Sequence, residues 1–93
     1  MPDQGKCVGV IDGALLVLEN GSMVILDQVK VPRMGLPGGA AMRTILQREV
    51  QDQVLDIDAK GKDRQGTLVA QVVVDGVSIN DLINHSLTNL GYR

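Results

Sequence analysis

His85 is the only histidine and Cys7 the only cysteine in this 93-residue chain. A single histidine rules out a multi-histidine metal site, and a single cysteine rules out an internal disulfide and a cysteine-rich zinc site. Ser86 follows His85 directly. On a helix, adjacent side chains diverge by about 100°, so the two cannot act as nucleophile and base. Cys7 sits in an apolar run and reads as a small buried hydrophobe. Asp56-Ile57-Asp58-Ala59-Lys60-Gly61 opens like a calcium loop. It fails as one, because Lys60 occupies a ligand position and Thr67 stands where the bidentate acid belongs. Its two carboxylates are expected to face outward from a strand. No phosphate-binding glycine motif is present; Gly38-Gly39 ahead of a helix offers only a few N–H groups to an anion. What remains is cationic: Lys30 and Arg33 close the third apolar run, and Lys60, Lys62 and Arg64 fill the polar stretch before the fifth. With 11 acids against 9 bases, net −2, no overall positive field draws in nucleic acid or an anionic membrane, so such binding has to be local.

The elements that position these groups follow from an aliphatic composition, 44% hydrophobic but 1% aromatic, with Tyr92 the lone ring. Val, Leu and Ile then build the core, which favours strands. Residues Lys6 to Ile11 and Ala14 to Glu19 read as strands broken at Asp12-Gly13. Asn20-Gly21 predicts a type I′ hairpin into a third strand, Ser22 to Val31. Pro32 to Gly39 is a loop. Met42, Ile45, Leu46 and Val50 recur at helical spacing, which predicts an amphipathic helix over Ala40 to Gln51. Val54 to Ala59 is a strand, Lys60-Gly61-Lys62-Asp63 its reversal, and Thr67 to Val74 the returning strand, ended by Asp75-Gly76. Ser78, with Asp81 three residues on, opens a last helix that buries Ile79, Leu82, Ile83 and Leu87. Three strands, helix, two strands, helix, without repeats or a linker, predict a single domain over 1–93 of the mostly-β α+β class. The layout is a five-stranded OB-fold barrel with one helix after strand 3 and another after strand 5. The N-terminus lacks the apolar run of a secretory signal and no stretch approaches the ~20 apolar residues of a membrane span. The expected location is cytoplasmic.

Several segments then fall into a pattern: Val10-Ile11-Asp12-Gly13, Val29-x-x-Pro32, Pro37-Gly38-Gly39-Ala40-Ala41, and Asp63-Arg64-Gln65-Gly66 followed by Leu68-Val69-Ala70-Gln71-Val72. Val74-Asp75-Gly76-x-Ser78-Ile79-Asn80, with Leu82-Ile83 after it, completes the series. Together they resemble the staphylococcal-nuclease family over nearly the whole chain, most specifically in the final third. The resemblance implies an OB-fold barrel. It also implies where a hydrolytic relative holds calcium with two aspartates, positions water with a glutamate and neutralises phosphate with two arginines. Carried over, those positions are Ala14, Ile25, Lys30, Arg33 and Thr67. A cation at an acidic position excludes a divalent ion, and without the ion there is no Lewis acid and no activated water.

The resemblance therefore implies a non-catalytic member that needs no cofactor. It also brings the Lys60, Lys62 and Arg64 turn to the barrel rim that holds Lys30 and Arg33, as a phosphate-binding patch for single-stranded nucleic acid. The alternatives are a protein-interaction or self-assembling domain, or a divergent calcium-dependent phosphodiesterase. Because the family's enzymes continue into a further helix beyond Gly91-Tyr92-Arg93, Leu87, Leu90 and Tyr92 are expected to expose apolar surface to another protein or to a second copy in a homodimer. No membrane partner is expected.

Overall fold

The computed structural model describes residues 3–91. In chain order the elements are β1 (Asp3–Asp12), β2 (Leu15–Leu18), β3 (Met23–Leu26), α1 (Gly39–Val50), β4 (Val54–Lys62), β5 (Leu68–Val74), β6 (Val77–Ser78) and α2 (Ile79–Asn89). Neighbouring strands run antiparallel except β3 and β5, whose parallel pairing of Val24 with Leu68 and Leu26 with Ala70 closes the sheet. The long strand β1 serves two neighbours: Asp3 to Lys6 pair with β4, and Cys7 to Asp12 pair with β2 across two register shifts. The result is a closed five-stranded mixed barrel with two helices, an OB-fold-like α+β architecture, to which β6 adds a two-residue hairpin partner for β5.

Alternation along the strands decides which side chains fill the barrel. Val10, Leu16, Leu18, Val24, Leu26, Leu55, Ile57, Ala70 and Val72 are buried inside it. Met42, Leu46 and Val50 of α1 and Ile79, Ile83 and Leu87 of α2 complete the same cluster, α1 lying across β1 and α2 against β5. Cys7 is fully buried, its Sγ 3.3 Å from the Gly9 carbonyl it donates to, and burial pushes its thiol pKa up. It is a core side chain.

Three boundaries differ from the sequence expectation. Asn20-Gly21 is not a type I′ turn, since Gly21 alone there is left-handed (φ 89°). Leu18 N–H donates to Ser22 O (2.8 Å) and Gly21 N–H to Leu18 O (2.9 Å), a three-residue loop in which the Asn20 side chain accepts from Ser22 N–H. The two-residue type I′ turn belongs to Asp75-Gly76, where both residues have positive φ (50° and 80°) between paired Val74 and Val77. Strand 3 stops at Leu26, five residues short of Val31, because Gln28 turns left-handed (φ 58°). β4 instead runs on through Lys62 over a bulge between Ala59 and Gly61, so the reversal falls at Asp63 to Gly66 rather than at Lys60 to Asp63.

α1 ends in a turn whose residues imply a test. Gln51 has φ −58° and ψ 126°, Asp52 has φ 63°, and Gln53 N–H donates to Val50 O at 3.0 Å, which is a type II turn with an aspartate where glycine is preferred. The exposed Asp52 side chain accepts a hydrogen bond from its neighbour Gln51 at 3.2 Å. Asp52→Gly is expected to raise stability by up to about 1 kcal/mol by removing left-handed strain, read as a higher urea midpoint with an unchanged slope.

Candidate phosphate-binding rim

Of the five positions where a hydrolytic site was sought, three are packing positions. Ala14 is buried and its carbonyl accepts from Leu26 N–H at 2.8 Å. Ile25 pairs with Leu15 on one side and Val69 on the other and packs on the core. Thr67 is buried just ahead of β5. Lys30 and Arg33 are exposed on the segment joining β3 to α1. Among the described residues no three His, Cys, Asp or Glu side chains converge as metal ligands. Asp56 instead accepts from Gln4 Nε2 at 2.8 Å across the β1–β4 pair, and His85 is exposed on α2.

The root of the β3–α1 segment is held by a side chain the sequence reading passed over. Asn80, in the first turn of α2 and 1% exposed, donates from Nδ2 to the carbonyls of Asp27 and Ala70, each at 3.0 Å, and accepts at Oδ1 from Val72 N–H at 2.9 Å. Asp27 N–H donates to Ala70 O (2.8 Å), and Asn84 Nδ2 reaches Gln28 O at 3.3 Å. The signal available beforehand was an asparagine on the apolar stripe of a helix, a position that demands buried partners. The far end of the segment is fixed by Leu36 N–H to Arg33 O and Gly39 N–H to Leu36 O, both 3.0 Å. Lys30 and Arg33 therefore project from a tethered loop.

Lys60, Lys62 and Arg64 come together on the arm made by the end of β4 and the turn after it, where every residue from Asp58 to Gly66 is exposed. Lys60 bonds Asp58 at 2.8 Å, the one ion pair among the described residues. The pair holds the Asp58 carboxyl below and the Lys60 ammonium above their ordinary pKa values, the hydrogen bond being the larger cause and the charge attraction the next. Both side chains are solvated, so the pair orders the arm without anchoring the fold. Asp63 does not neutralise Arg64. Its Oδ1 accepts from Gln65 N–H (2.9 Å) and Thr67 N–H (3.0 Å), and its backbone closes the turn with Gly66 and Thr67. Lys62 and Arg64 thus stand exposed without an ion pair among the described residues. Asp27, at the root of the β3–α1 segment, bonds through its N–H to Ala70 O at 2.8 Å, and Ala70 pairs with Ala59 of β4, which places that root beside the base of the arm. Neither Lys30 nor Arg33 bonds to the arm. Between the arm's turn and the β2–β3 loop lies a cleft of about 200 Å³ lined by Gly21, Ser22, Met23, Gln65, Gly66 and Thr67.

The C-terminal expectation needs correction. Leu87 is fully buried because it lies on the core stripe of α2 with Ile79 and Ile83; Leu90 is 48% exposed, and Tyr92 lies outside the described residues. Among the described residues no helix is long and apolar enough to cross a membrane. Neither a protein-family model nor a curated protein matches the chain.

Proposed function

We propose that this protein is a non-catalytic OB-fold-like module, similar to the staphylococcal-nuclease family, that holds the phosphate backbone of single-stranded nucleic acid in the cytoplasm. The observation that carries the reading is the exposed arm, on which Lys62 and Arg64 have no ion pair among the described residues while Asp58 and Asp63 are already bonded, to Lys60 and to backbone N–H groups respectively. Lys30 and Arg33 extend the cationic surface from the tethered loop. Strand and loop backbones of an OB barrel present a ligand along this kind of rim. Without aromatic platforms, bases cannot be read by stacking, so recognition is electrostatic and sequence-tolerant. The non-catalytic reading rests on the resemblance, by which the catalytic positions carry Ala14, Ile25 and Thr67, which have no acid or base to offer, and Lys30 and Arg33, which repel a divalent cation.

Fluorescence anisotropy with a labelled single-stranded oligonucleotide at a series of salt concentrations tests the reading. Three to four phosphate contacts give a slope of log affinity against log salt near −2 to −3, at roughly −0.7 per contact. Reversing the arm charges with Lys62→Glu and Arg64→Glu is expected to weaken binding by about tenfold or more at low salt. Salt-indifferent binding, or an unchanged double variant, would show that the arm does not hold phosphate. Chelator-sensitive cleavage of the oligonucleotide by the pure protein in calcium would overturn the non-catalytic part.

A further inference from the structure

A second surface lies away from the arm. The C-terminal half of α1, the β5–β6 hairpin and the start of α2 enclose an open groove of about 410 Å³. Val74, Val77 and Leu82 form its apolar lining, with Arg48 and Glu49 on the α1 wall and Asp75 on the hairpin wall. Val77 is 49% exposed, and Val54, next in sequence to the lining residue Gln53, is 59% exposed, more than any other large hydrophobic side chain described. Single exposed aliphatics are ordinary, but two of them joined to a groove of further aliphatics form a patch that a partner would cover.

The charges around the groove select the partner. Neither Arg48 nor Asp75 makes an ion pair among the described residues. Arg48 is exposed on one wall with Glu49 half-buried beside it, and Asp75 is exposed at the tip of the other wall. A polyanion or an acidic membrane would meet the two carboxylates. A two-fold axis, by contrast, lays the α1 wall of one copy against the hairpin wall of the other, so that Arg48 meets Asp75 twice over and the apolar linings face each other. β6 also ends the sheet, and the side of Val77–Ser78 away from β5 pairs with no strand among the described residues.

We infer that the groove between α1 and the β5–β6 hairpin is the interface of a two-fold homodimer, with Val77 at its centre and Arg48 bonded to Asp75 of the second copy. The dimer leaves both cationic arms free, and it stands or falls independently of what the arms bind. Sedimentation velocity on the 9.9 kDa chain at micromolar to submillimolar concentration should show twice the chain mass. Val77→Asp, at a site exposed enough to accept it, should give a monomer with an unaltered circular dichroism spectrum. Arg48→Asp and Asp75→Arg should each be monomeric alone, through like charges meeting, and an equimolar mixture of the two should recover the dimer mass, because only the mixed pair restores both contacts. Wild type that remains monomeric at submillimolar concentration overturns the inference. So does a folded Val77→Asp that still dimerises, or a mixture that stays monomeric while both variants keep the wild-type spectrum.

Discussion

Asn80→Ala is expected to lower the stability of the barrel by about 2–4 kcal/mol, because one amide there serves three backbone groups, of which the Asp27 carbonyl and Val72 N–H lose that partner outright while the Ala70 carbonyl keeps Asp27 N–H. Its Nδ2 satisfies the carbonyls of Asp27 and Ala70, and its Oδ1 satisfies Val72 N–H. These groups lie where the parallel β3–β5 pairing ends and the chain leaves β3, with Asp27 N–H still bonded to the Ala70 carbonyl at 2.8 Å. Each buried group left unsatisfied costs about 1–3 kcal/mol, and a cavity adds to that. For a domain whose whole stability is of order 5–15 kcal/mol, the variant sits near its unfolding threshold. Asn80→Asp, nearly the same shape, is expected to be no better at neutral pH: a carboxylate can still accept from Val72 N–H, but it faces the two carbonyls with no proton to give. Urea unfolding measures the loss, and amide exchange at Val72 should accelerate beyond the global change. A loss under about 1 kcal/mol for Asn80→Ala would mean that solvent reaches these groups and that α2 does not tether the β3–α1 segment.

That tether also explains what could be read from the sequence and what could not. The order of elements was legible, because period-two aliphatics in Leu16, Leu18, Val24 and Leu26 and helical spacing in Met42, Leu46 and Val50 are local patterns that tertiary packing confirms. The length of strand 3 was not. Ser22 to Val31 stays aliphatic beyond Leu26, and what ends the strand is Gln28 turning left-handed beside Asn80 and Asn84, more than fifty residues away in sequence. The two turn dipeptides, Asn20-Gly21 and Asp75-Gly76, have equal claims to a type I′ turn on composition. The pairing decides between them, since Val74 meets Val77 across two residues whereas Leu18 bonds Ser22 across three. The rim was legible as a set of cations but not as a charge balance. The Asp58–Lys60 pair forms on a strand that runs on through Lys62 rather than ending at Ala59, and the diversion of Asp63 to the Gln65 and Thr67 N–H groups depends on a reversal three residues later than the glycine at position 61 suggests.

Gly39→Ala reverses a familiar sign. Glycine at the start of a helix ordinarily gives way to alanine with a gain of about 0.5–1 kcal/mol, since alanine loses less backbone entropy on folding. Gly39 opens α1 with an ordinary negative φ, so conformation alone would permit the gain. Space does not. A Cβ built there falls on the Arg33 carbonyl oxygen, 2.7 Å from the Arg33 carbonyl carbon and 3.1 Å from the Met34 Cα. All three are backbone atoms, which cannot rotate aside as a side-chain end can. The Arg33 carbonyl accepts from Leu36 N–H, and Leu36 O accepts from Gly39 N–H, so moving the carbonyl unpicks both turns that lead into the helix. The expected outcome is a loss of about 2–4 kcal/mol, in the range of overpacking with broken hydrogen bonds, together with displacement of Arg33 on the candidate rim. Gly9→Ala is the control: it too lacks a positive φ, and nothing lies within 4 Å of its Cβ, so its melt should stay close to wild type. If Gly39→Ala melts no lower than Gly9→Ala, the segment from Arg33 to Leu36 is free to shift at little cost. Arg33 would then be carried by a loose loop, and phosphate binding would rest on the β4–β5 arm alone.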